Sequence, residues 1–135
     1  MNENFLAAYR PQLLSLLRIV VGLLLVHYGI ATLFKYPAVP MFANSSPLLL
    51  FAGSMELIGG ALLLVGLCTR PAAFVVAGFM ASAFFIGHVF KTDTPVIMPV
   101  LNGGTAAVLY CFSCLYLAAA GPGPWSVDAA MRNKS

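Results

Sequence analysis

Charge is what this 135-residue chain has least of. Seven Lys and Arg and four Asp and Glu make up 8% of its positions, against 61% hydrophobic. Soluble domains carry about 25% charged residues, so the composition argues against a water-soluble monomer. With a formal net charge of +3 and no basic cluster, nothing suggests nucleic-acid binding. There is no acidic tail, low-complexity linker or soluble extension. Residues 1–135 are therefore expected to form one domain, with any water-soluble catalytic module on another polypeptide. Cysteine is limited to Cys68, Cys111 and Cys114, and histidine to His27 and His88.

What fills the chain is four apolar stretches, about 13–33, 48–68, 72–90 and 100–119. Each is near the roughly 20 helical residues that cross a bilayer core. The expected fold is all-α, a transmembrane four-helix bundle running up-down-up-down, because the connections are short. Pro11, Pro47 and Pro71 open the first three helices, where a missing N–H costs nothing. Ser46 and Thr69 are the expected caps. Tyr36-Pro37 closes the first helix, and Gly121 takes a left-handed position closing the fourth. Ser126 caps a short terminal helix with Asp128 in its first turn. The segment Phe34–Ala43 reads as an amphipathic, aromatic stretch at the headgroups.

With the amino terminus inside, Arg10, Arg18, Arg70, Arg132 and Lys134 lie inside and only Lys35 and Lys91 outside. The positive-inside rule thus places both termini of this multi-pass protein in the cytoplasm. A cleaved signal peptide fits the first span less well. Its apolar core is long and contains Arg18 and His27, although Met41-Phe42-Ala43 loosely imitates a cleavage site.

The polar interruptions carry the functional information, since hydrocarbon offers them no partners. Alternating topology places His27, Lys35, Glu56, His88 and Asn102 in the outer half, as one expected ligand-binding pocket. Gly53, Glu56 and Gly60 share a helix face, and small residues there admit a neighbouring helix, water or ligand. A glutamate at this depth either holds a proton or pairs with Lys35 or a histidinium. Either state suits proton transfer or a quinone carbonyl, and a buried network fixing helix register is the plainer reading. Arg18 is expected to snorkel to the inner headgroups. Arg70 is a topology determinant that could also bind the tail through Asp128.

Two imidazoles could ligate haem, but His88 sits nearer the surface than His27, so haem is disfavoured. A metal held by His27, Glu56 and His88 has suitable ligand types without any specific spacing, and no metal is expected. Cys111 and Cys114 have redox-motif spacing. They lie away from the polar cluster and the oxidising face, so packing as small apolar residues is the favoured reading.

Several ordered pieces resemble a known family. They are Leu17-Arg18 with Gly22, His27 with Gly29, Phe34-Lys35, and Glu56 with Gly59-Gly60. Gly66-Leu67 before Thr69-Arg70-Pro71, His88, Asn102-Gly103-Gly104 with Tyr110, and Gly121-Pro122-Gly123-Pro124-Trp125-Ser126-Val127-Asp128 follow. From about Leu17 to Asp128 the chain resembles DoxX-like membrane proteins; the cysteines lie outside the pattern. The resemblance implies a four-helix inner-membrane protein. It also implies links to thiosulfate:quinone oxidoreductase, to oxidative-stress responses and to complexes with soluble redox partners.

The leading functional expectation is a membrane subunit of a quinone-linked or sulfur-linked redox system, an oxidoreductase subunit with quinone as its cofactor. Its partners would be the lipid bilayer and either a protein of a membrane redox complex or further copies of itself. The alternative is a non-catalytic anchor or assembly subunit for a soluble redox partner. A proton or solute conduit would require a continuous polar path, and the inner halves of the middle spans are nearly all apolar.

Overall fold

In a computed structural model the described residues are 4–36, 46–91 and 93–134, and among them the regular structure is entirely helical. The expected amphipathic stretch Phe34–Ala43 lies mostly outside the described residues. The helices are α1 (Arg10–Phe34), α2 (Pro47–Val65), α3 (Thr69–Phe84), α4 (Pro99–Asn102), α5 (Thr105–Ala120) and α6 (Val127–Lys134). A π-helical turn, Phe85–Val89, prolongs α3. Three helical runs, Ala7–Phe34, Pro47–Val65 and Thr69–Val89, are long and apolar enough to cross a membrane.

The helix ends follow local chemistry. Ser46 caps α2 by accepting from the Leu49 N–H at 3.1 Å, with Pro47 in the first turn. Gly66 ends α2 with φ +75°, a conformation that costs glycine nothing. Two ends differ from expectation. Thr69 does not cap α3 with its side chain; Cys68 occupies the cap position, and Asp128 supplies the acceptor from the far end of the chain. Gly121 ends α5 with φ +92° and ψ −171°, outside the left-handed helical well, so the chain leaves sideways instead of curling.

The fourth apolar stretch is not one helix. Asn102 donates from Nδ2 to the Val96 carbonyl at 2.7 Å and accepts the Gly104 N–H on Oδ1 at 2.8 Å. Such local bonds compete with the helical ladder. Gly103 turns to φ +75°, and α5 restarts at Thr105. At 1.5 Å per residue, its 16 residues rise about 24 Å, short of a bilayer core of about 30 Å.

α1 packs chiefly on α2, and α3 on α5. Glycine makes the first pairing possible. A Cβ on Gly22 would stand 2.5 Å from the Leu64 backbone nitrogen, and one on Gly60 2.8 Å from the Val26 nitrogen. Bare backbones thus meet, as in tightly packed membrane helices. The core joins the pairs through Leu25, Leu63, Val76, Met80, Cys114 and Leu117.

The tail end of the bundle is locked by polar groups. Arg18 is fully buried, contrary to the expected snorkelling. Its Nη1 donates to the carbonyls of Leu63 (2.7 Å) and Leu64 (2.9 Å), Nε to Pro122 (2.8 Å), and Nη2 to Trp125. Arg70 donates to the carbonyls of Ala118 (3.2 Å) and Ala119 (2.5 Å) instead of meeting Asp128. The Asp128 carboxylate accepts the N–H groups of Cys68 and Thr69, each at 2.9 Å. Ser126 caps α6 by accepting the Ala129 N–H at 3.0 Å.

Candidate functional site

α2 and α3 converge beside Gly59, where a Cβ would stand 2.5 Å from Val76 Cγ2. Away from that point, toward Ser46 and Lys91, a cavity of about 390 Å³ lies among α1, α2, α3 and α5. Ligand pockets run from about 300 to 1,000 Å³. The walls are largely apolar, with Leu48, Phe51, Phe79, Met80 and Ile86 among them. Glu56, Tyr28, Tyr110, His88, Lys91, Ser46 and Ser82 supply the polar side chains.

Each polar group has an elemental reason for its place. Glu56 follows Gly53 by three residues and precedes Gly60 by four, so the turn on which it sits is pulled against α1. There Thr32 Oγ1 donates to the Tyr28 carbonyl at 2.8 Å and stands 3.4 Å from Glu56 Oε2. With its proton used on that carbonyl, the Thr32 oxygen can accept from a protonated Glu56. The Tyr28 and Tyr110 rings meet edge to face with centroids 6.1 Å apart, a favoured aromatic geometry. His88 lies in the π-helical turn, and its Nδ1 donates to the Asn102 carbonyl at 3.1 Å. In a neutral ring this leaves Nε2 as acceptor.

The five residues expected in one pocket separate. Glu56 and His88 line the cavity. His27 is exposed on α1 and Lys35 is the left-handed residue ending that helix, neither among the lining. Asn102 touches the site through His88 and holds the break before α5. Among the described residues no three His, Cys, Asp or Glu side chains assemble as a metal-ligand group. Cys114 is fully buried in the core, as the packing reading predicts, and all three cysteines are free thiols. The lining also takes in Tyr28, Tyr110 and Lys91, which the sequence pattern does not mark as site residues. For Tyr28 a signal existed: it precedes Thr32 by four residues, on the face that Gly29 presses against Leu57.

Long apolar helices, a core of interlocked glycine-lined backbones and a cavity with a few ionisable groups define a multi-pass integral membrane protein in contact with the lipid bilayer. The chain belongs to the DoxX family: residues 13–89 match the family's sequence model. It is also 38% identical over 128 residues to a protein of Haemophilus influenzae described as an uncharacterized protein, covering 93% of this chain and 95% of that one. No solved structure matches the chain.

Proposed function

We propose that this protein is a membrane subunit of a quinone-linked redox system and that its cavity receives the quinone headgroup. The carrying observation is the pairing of largely apolar walls with Glu56, Tyr110 and His88 in one cavity of about 390 Å³. A quinone ring asks for that combination: flat apolar flanks and donors for two carbonyl oxygens. Reduction of a quinone to a quinol takes two electrons and two protons. In this reading a soluble or membrane redox partner supplies the electrons. Glu56 as a carboxylic acid and His88 as an imidazolium carrying its second proton on Nε2 hand one proton each to the carbonyl oxygens, and Tyr110 holds the ring by hydrogen bonding.

The membrane arrangement belongs to the same proposal. α4, the Gly103-Gly104 break and α5 together make a fourth crossing, giving an up-down-up-down bundle in the bacterial inner membrane. Both termini are cytoplasmic and the cavity lies in the outer half. The anchor reading has less support, because an anchor needs small-residue helix faces free to pack on a partner. Gly22, Gly29, Gly53 and Gly60 instead lie against neighbouring helices of the same chain.

The test is saturable binding of a ubiquinone or menaquinone analogue to purified protein in nanodiscs, which Glu56→Gln should weaken. Equal binding by wild type and Glu56→Gln would count against the proposal.

A further inference from the structure

The cavity has two edges, and they differ in chemistry. Toward the chain ends of α2 and of the π-helical turn stand Ser46, His88 and Lys91. The other edge is the seam between α2 and α3, apolar apart from Ser82, whose hydroxyl donates to the Gly78 carbonyl at 3.1 Å. Leu48, Phe51 and Ile86 line the cavity while keeping 59%, 57% and 56% of their surface exposed. A residue that both lines a cavity and stays open to the surroundings forms its rim. In a membrane protein an apolar rim between two spanning helices faces acyl chains.

The seam opens for identifiable reasons. α2 and α3 touch at Gly59 and Val76, close to the short turn that joins them. Farther along, α3 passes into the π-helical turn, and the bond from His88 to the Asn102 carbonyl ties that turn toward the α4–α5 side. Between apex and rim one aromatic pair spans the gap: the Phe51 and Phe79 rings meet edge to face at 6.2 Å. An aromatic edge contact is a weak closure, since one ring pair adds little beyond the area it buries.

We infer that the α2–α3 seam is a lateral portal. A ring-headed lipid with a hydrocarbon tail enters from the bilayer past Phe51 and Phe79, places its ring near Glu56 and Tyr110, and leaves its tail between Leu48 and Ile86. The inference rests on the quinone reading and adds the direction of entry and the class of ligand, a tailed rather than a water-borne quinone.

Narrowing the seam tests it. Ile86→Trp and Leu48→Trp change exposed rim positions and leave Glu56, Tyr110 and His88 in place. Binding of decylubiquinone and of the tailless ubiquinone-0 is measured for wild type and both variants in nanodiscs. Each variant should weaken decylubiquinone about tenfold and leave ubiquinone-0 within about twofold. If both ligands bind wild type and neither variant discriminates between them, the portal is refuted while the quinone site stands. If neither ligand binds wild-type protein, both readings fall together.

Discussion

Arg18 is a cation in the membrane-spanning part of α1 that makes four hydrogen bonds to backbone carbonyls. Two of these belong to the last turn of α2, where the helical ladder runs out and Leu63 also accepts the Gly66 N–H at 3.2 Å, and two to the Gly121–Trp125 segment. Guanidinium suits this because it offers five donors in a rigid plane. Arg18→Met keeps the bulk and removes every donor, so four carbonyls lose the guanidinium together. The expected cost is on the order of 3–5 kcal/mol, read as a lower thermal unfolding midpoint in detergent, with Arg18→Lys falling between. Asp128 acts on the same assembly. Partial burial would raise its carboxyl, but the N–H groups of Thr69 and Cys68, with Arg18 nearby, outweigh this and hold it below the ordinary 3.8. A depressed carboxyl stabilises the fold above its unfolded value, and the stabilisation is lost as pH falls through the lower folded value. Wild type should therefore melt above Asp128→Asn at pH 7, and the two midpoints should converge as the solution is acidified below about 3.8. Neither partnership was readable from spacing. Arg18 and Trp125 lie 107 positions apart, and a lone arginine a turn and a half into a span looks the same whether it reaches for headgroups or for a distant strap.

Between helices, glycines that look alike in the sequence differ sharply in three dimensions. Gly22 has the backbone of Leu64 where its Cβ would be, whereas Gly78 has nothing within 4 Å. Gly22→Ala must push α1 off α2, since a backbone atom cannot turn aside, and should cost about 1–3 kcal/mol. Gly78→Ala meets open space and removes backbone freedom from the unfolded chain, so it should stabilise by about 0.5–1 kcal/mol. Opposite shifts in melting midpoint for these two variants are the expected outcome, and a shared sign would contradict the packing. Element boundaries were legible where one or two residues decide them: Ser46-Pro47 starts α2, and Thr69-Arg70-Pro71 lies where α2 gives way to α3. The break at Gly103-Gly104 was not, because apolar content runs through it and the cause is a single side chain, Asn102, bonding its neighbours' backbone. The site was legible to a similar depth. A glycine-flanked glutamate and a helix-end histidine share a cavity, but helical phase within α1 decides that Tyr28 lines it and His27 does not.

For the whole molecule the open quantity is direction across the bilayer. The positive-inside rule counts charges in loops, and the structure reduces that count. Arg18 is buried and so is no loop charge, while Arg70 spends its donors on the end of α5 yet stays exposed. Arg10, Arg70, Arg132 and Lys134 still oppose Lys35 and Lys91, so the bias behind the proposed cytoplasmic placement of both termini survives. Cys68 offers a reporter already in place. It is exposed at the start of α3, while Cys114 is buried and Cys111 half-buried in the span. With Cys111→Ala and Cys114→Ala as background, a membrane-impermeant maleimide added to spheroplasts should leave Cys68 unmodified, and the same reagent should label it in inverted vesicles. Labelling from the outside instead would turn the bundle over. The cavity would then open to the cytoplasmic leaflet, and the Arg18–Asp128 assembly would face the periplasm. Any electron donor to a ring bound beside Glu56 would have to be sought on the other side of the membrane.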